Sequence, residues 1–69
     1  MAKQQEAPVP VRMIRLPEVM ALTGLSHVSI WRLERAGEFP KRRRIGGRMI
    51  AWRSDELDEW RESREIVSP

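Results

Sequence analysis

RLPEVMALTGLSHVSIWRLERAGEFP, residues 15 to 40, holds two short apolar-periodic segments joined through Thr23-Gly24-Leu25-Ser26 and closed by Gly37-Glu38-Phe39-Pro40. Leu16-Pro17-Glu18 reads as a helix start, because proline fits the first helical turn and an early glutamate suits the positive end of the helix dipole. Val19 and Leu22 follow at i and i+3, and Gly24 supplies the stop. The spacing predicts a helix over residues 17 to 23. Ser26 then offers a hydroxyl to the open amides of a second helix, which runs to Ala36 and ends before Gly37. Two short helices separated by a glycine-containing turn are the sequence form of a helix-turn-helix.

At about 100° per residue the second helix divides into two faces. Ile30 and Leu33 lie on one side with Ser29 and Ala36 at its margin, and this side is fit to pack on the first helix. His27, Val28, Trp31, Arg32 and Arg35 fall together on the other side. Two arginines, a histidine and an indole are the groups used for phosphate contacts, base-edge hydrogen bonds and stacking.

Beyond Phe39-Pro40, which turns the chain away from the helix, comes KRRRIGGRMIAWR, residues 41 to 53. The Gly46-Gly47 pair supplies the positive φ angles of a tight hairpin, so two strands are expected over about residues 42 to 52. Alternation puts Ile50 and Trp52 on one face of the second strand and Met49 and Ala51 on the other, with Arg43 and Ile45 opposite Arg42 and Arg44 in the first. Ser54 is expected to cap a last helix, with Asp55 and Glu56 in its first turn and Arg61 and Arg64 towards its end. Leu57 and Trp60 are its core contacts. Residues 1 to 12, with Pro8 and Pro10, read as a flexible arm, 13 to 64 as the folded domain and 65 to 69 as a fraying tail.

The 69-residue chain makes one small domain with a thin core; 41% of it is apolar and 33% charged. It has no cysteine and one histidine, which excludes disulfides, thiolate metal sites and multi-histidine metal ligation. The start MAKQQEAPVPV lacks a signal peptide's apolar core, and no apolar run approaches the roughly 20 residues of a membrane helix. A soluble, cytoplasmic protein is expected, without membrane or cofactor. The net charge of +3 conceals a segregation. Residues 31 to 53 carry eight cations against Glu34 and Glu38, whereas the last sixteen carry six carboxylates against Arg61 and Arg64. A basic middle beside an acidic end suggests an oriented polyanion-binding surface, with nucleic acid as the partner.

Helix, glycine turn, helix, two-stranded hairpin, helix is the order of a winged helix-turn-helix domain: mainly α with a small β-hairpin. The run RLPEVMALTGLSHVSIWRLERAGEFP, followed by IGGR, AWR and an acidic helix start, resembles the AlpA family of short phage and prophage regulators, close in fold to excisionases and to the DNA-binding domain of MerR-like proteins. The resemblance covers about residues 12 to 64. It implies sequence-specific binding of double-stranded DNA, with the second helix in the major groove and the hairpin wing on the backbone or an adjacent groove. It also implies regulation of mobile-element transcription or, as an alternative, excisionase-like bending of DNA for recombination. Other copies of the chain on repeated sites, RNA polymerase or a recombinase are the further partners to consider. Family members often carry an apolar residue where Arg43 stands, which puts the packing of the first strand in question.

The candidate DNA-binding residues are therefore His27, Val28, Trp31, Arg32, Arg35, Lys41, Arg42, Arg44 and Arg48. Each has a plainer reading. The run Lys41 to Arg44 would be a solvated charged strand, and Trp31 a partly buried wall of the hairpin. His27 would be a surface residue beside a cap, and the arginines of the second helix would pair with Glu34 or Glu38 in surface ion pairs of little worth. Arg32 suits a guanine edge and Arg35, near the helix end, a phosphate. A protein-interaction adaptor whose charge is incidental is the alternative of another class. No constellation of residues supports an enzyme.

Overall fold

The computed structural model describes residues 10 to 67. Within them the order is β1 (Met13–Ile14), α1 (Leu16–Thr23), α2 (His27–Arg35), β2 (Arg43–Gly46), β3 (Met49–Arg53) and α3 (Ser54–Glu62). Three helices lie with a small antiparallel sheet of order β1-β3-β2, an arrangement compatible with a winged helix-turn-helix. The arm expected over residues 1 to 12 falls outside the described residues up to Val9, as do the last two residues of the expected tail.

The two helices of the opening stretch form where the local signals put them. Pro17 occupies the first turn of α1, and the amides of Glu18 and Val19 both donate to the Arg15 carbonyl. Gly24 ends the helix at φ 75°, a left-handed conformation that glycine adopts without steric cost, and its N–H donates to Met20 O at 2.8 Å. Thr23 Oγ1 donates back to Val19 O at 2.8 Å and accepts from Leu25 N at 3.2 Å, which fixes the turn. Ser26 Oγ then accepts the Ser29 amide at 3.1 Å, the expected cap of α2.

The sheet departs from the expected two-stranded hairpin. A third strand, β1, pairs Met13 with Arg53 and Ile14 with Trp52, so β3 is central. Its middle residues Ala51 and Trp52 are therefore both buried, although they point to opposite faces. The turn also shifts by one residue. Gly46 belongs to β2 and pairs with Met49, and the loop is Gly47-Arg48, with positive φ at Gly47 alone. Positive φ at only the first central residue is the type II′ pattern, whose twist matches that of hairpin strands. The shift is absorbed by an irregularity at Ile45, between the Arg44–Ile50 and Gly46–Met49 pairs, where β2 holds one residue more than its partner.

Ser54 does not cap α3. Its Oγ accepts the Arg12 amide at 2.7 Å, while its own N–H donates to the Arg12 carbonyl at 2.8 Å, so the pair extends the β1–β3 ladder. The helix starts without a side-chain cap, and Asp55 in its first turn accepts the Glu56 amide at 2.9 Å and the Arg53 guanidinium at 2.9 and 2.8 Å. The hydrogen bond from Arg53 holds the Asp55 carboxyl below its usual range. The end of the expected arm is thus bound to the start of the last helix, and Arg12 also pairs with Glu18 at 3.0 Å.

One core gathers a residue from every element but the exposed β2, and one from the connector: Ile14, Val19, Ile30, Phe39, Trp52 and Leu57, ringed by half-buried Leu16, Met20, Leu22, Leu25, Leu33, Ile50 and Trp60. Phe39 is only 5% exposed and meets Trp60 edge-on at 4.7 Å and Trp52 at 6.5 Å between ring centroids. The dipeptide Phe39-Pro40 therefore plants an aromatic hub as well as breaking the helix. Trp60 is fixed further by donating its indole N–H to Glu38 O at 2.7 Å.

Phe39→Ala removes this hub and should cost about 3–5 kcal/mol, a large share of the stability of a domain this small, read as a fall in the urea midpoint. A second expectation concerns pH. Because the Asp55 carboxyl is lowered in the folded state, its contribution is present above the ordinary carboxylate range and is lost as pH falls through its folded-state value. The difference in melting temperature between the wild type and Asp55→Asn should accordingly be visible at neutral pH and vanish in acid.

Candidate functional site

The exposed face of α2, the connector and the hairpin carry every candidate residue of the sequence. His27 and Val28 stand exposed in the first turn of α2, Trp31 and Arg32 one turn on, and Arg35 in the last turn. Ile30 is fully buried on the opposite side and Leu33 is half-buried, so the two faces read from the helical wheel are the two faces of the folded helix. Trp31 is 49% exposed, a partly buried wall of the cleft beside the hairpin that stays outside the core. Its ring carries the Arg35 guanidinium at 4.8 Å from the centroid, a cation–π contact one turn along the helix.

Lys41 and Arg42 lie in the connector ahead of β2, Arg44 in β2 opposite Ile50, and Arg48 in the hairpin loop. Trp31, Arg35, Lys41 and Arg42 come together with Glu34 around an open cleft of about 350 Å³ between the end of α2 and the base of the hairpin. His27, Val28, Arg32, Arg44 and Arg48 do not line it.

The structure divides the cations into two groups that composition alone does not distinguish. Arg53 is engaged by Asp55, Arg43 by Glu56 and Arg42 by Glu34. Arg32, Arg35, Lys41, Arg44 and Arg48 are exposed and have no carboxylate partner among the described residues. Arg43 answers the question of the first strand. Opposite Ala51 in the ladder, it meets Glu56 of α3, so an ion pair across the sheet stands where an apolar side chain was to be expected.

Glu34 corrects the expectation of a surface ion pair. It is 7% exposed, and its carboxylate accepts three hydrogen bonds beside a second guanidinium contact. Arg42 Nε donates to Oε1 at 2.8 Å, with Arg42 Nη2 at 2.7 Å from the same oxygen. The Arg42 amide and the Trp52 indole N–H donate to Oε2 at 3.0 and 2.9 Å. A carboxylate is costly to take out of water, by several kcal/mol, and is tolerated only where donors replace its hydration. Here both oxygens are filled. Trp52 Nε1 also reaches Pro40 O at 3.1 Å, and the described residues hold no buried side-chain nitrogen or oxygen without a partner.

Glu34 and Phe39 are the residues that sequence reasoning missed. A usable signal for Glu34 existed: on the wheel it lies about 100° from Leu33 and about 40° from Ile30, on the apolar side of α2.

No group of three or more metal-ligating side chains occurs among the described residues, and no helix there is long and apolar enough to cross a membrane. The family described as prophage CP4-57 regulatory protein (AlpA) matches residues 12–65. A protein of Enterobacteria phage P4, named uncharacterized protein ORF88, is 45% identical over 53 residues, which is 77% of this chain and 60% of that protein. The DNA-binding transcriptional activator AlpA of Escherichia coli K12 is 35% identical over 60 residues, covering 78% of this chain and 86% of the activator. The chain spans well under two thirds of the phage protein, yet the family match takes in every strand and helix described above, and the protein belongs to the AlpA family.

Proposed function

We propose that the protein is a sequence-specific DNA-binding transcriptional regulator of phage type and not an enzyme. In this reading the domain is a winged helix-turn-helix, α2 lies in the major groove, and the β2–β3 hairpin is the wing on the backbone or an adjacent groove. The observation that carries it is the division of the cations: of the seven described cations with no carboxylate partner, five stand on α2, the connector and the hairpin, with only Arg15 and Arg64 elsewhere. Cations placed only for solubility would show no such concentration on one helix face and the hairpin beside it. Membership of the AlpA family and the name of the Escherichia coli relative support the same reading.

Each residue then takes a part that its position allows. The first turns of a recognition helix are the ones that reach base edges, so His27, Val28 and Arg32 face the bases. An arginine can fork to the O6 and N7 of guanine, a contact worth about 1–3 kcal/mol of discrimination. Arg35, Lys41, Arg44 and Arg48 neutralise phosphates, which positions the domain without reading sequence. Trp31 keeps Arg35 in place from beneath. A single small domain reads few base pairs, so several copies on repeated sites complete the specificity.

Two measurements test this. Four neutralised phosphates, one each for Arg35, Lys41, Arg44 and Arg48, give a slope of log K against log salt of about −3.6 on duplex DNA. A slope near zero in anisotropy titrations would point to an adaptor. In a randomised-site selection, Arg32→Ala should lose the preference at one position and leave the others. Retention of the full wild-type motif would remove Arg32 from base reading.

A further inference from the structure

Every hydrogen bond between α2 and residues 41 to 53 ends on one carboxylate, that of Glu34. The carboxylate lies one residue before Arg35 and two after Arg32, buried at the floor of the cleft that Arg35 and Lys41 also line. Its three bonded partners are the backbone and side chain of Arg42, immediately ahead of β2, and the indole of Trp52 in the central strand β3. The Arg42 guanidinium also sits 5.4 Å from the Trp52 ring centroid, so it is held from two directions.

We propose that Glu34 and Arg42 are positioning residues for sequence reading: together they set the distance and angle between the recognition helix and the wing, and Arg42 is withdrawn from the phosphate contacts. The inference rests on the DNA-binding reading above and deepens it. Two reading elements gain specificity over either alone only if their separation is fixed before binding, since a flexible pair spends binding free energy on ordering. Non-specific affinity depends on the number of phosphates neutralised and hardly on that angle. Loss of the Glu34–Arg42 link should therefore lower discrimination and spare general attraction to DNA.

The test compares the full chain with Glu34→Gln and Arg42→Lys on two probes: the duplex that the wild type itself recovers from a randomised pool, and a scrambled duplex of the same length. Lysine keeps the charge of Arg42 and loses the two-nitrogen fork that grips Oε1. Circular dichroism and urea midpoints establish that each variant is folded at the assay temperature. Should Glu34→Gln be unfolded, Arg42→Lys decides alone, because its side chain is 38% exposed and the change retains its charge.

Both variants are expected to bind the scrambled duplex with wild-type affinity and a salt slope no shallower than wild type. On the selected duplex they should bind about tenfold more weakly, the size of one mis-set base contact. Wild-type behaviour of folded Arg42→Lys on both probes would mean that the charge of Arg42 suffices, as a phosphate contact requires, and would overturn the inference alone. Equal losses on both duplexes by folded variants would make the pair merely structural and overturn it too. Absence of salt-dependent binding by the wild type would overturn the functional reading and the inference with it.

Discussion

A single buried carboxylate organises this domain. Glu34 is reached from a connector amide, an arginine and the largest core side chain, and no other group could satisfy all of them at once. Its burial would be unfavourable in isolation, and each donor would be costly to strand without it; the arrangement is stable only complete. That property makes the position of the hairpin relative to α2 a matter of yes or no, with few intermediate angles. A hydrophobic contact in the same place would tolerate sliding, because dispersion is not directional.

Around this polar joint the apolar core is small, and it is closed by devices that cost little chain. Phe39 fills the centre from a loop and engages two tryptophans edge-on. A two-residue strand covers the far side of β3, and the Arg12 and Ser54 backbones continue its ladder by one step. The acidic start of α3 takes up Arg53 and Arg43, so that part of the charge segregated along the sequence is cancelled in the fold. Five of the eight cations of residues 31 to 53 remain uncancelled, on α2, the connector and the hairpin.

The helices could be read from the sequence because their boundaries are written locally. Pro17, Gly24 and Ser26 act on their own turns, and no distant residue overrides them. The features that escaped depend on distant partners. β1 is too short for any period, and what makes it a strand is a partner beginning at Met49 and aligned with it at Trp52 and Arg53. Ser54 has the hydroxyl of a cap, but the distant Arg12 amide takes it, and α3 begins without a side-chain cap. Glycine doublets mark a hairpin but do not say which glycine turns, and the extra residue at Ile45 decided for Gly47. For the site, the sequence supplied the face of α2 and the basic hairpin. It did not separate Arg42 and Arg43 from Lys41 and Arg44, since adjacency in a basic run says nothing about which carboxylates the fold will bring near.

The pairing of β1 with the far end of β3 also sets an order of events during synthesis. Met13 and Ile14 leave the ribosome early, and their partners Arg53 and Trp52 are among the last residues of the domain to be made. Closing so long a loop carries an entropic cost that only the finished sheet offsets. The two N-terminal helices emerge with their local turn signals intact but without Trp52 or Leu57 to pack on, and Glu34 waits for the indole that completes its shell. A truncated product ending before β3 would therefore lack Trp52 and Leu57 from its core and the indole from its joint.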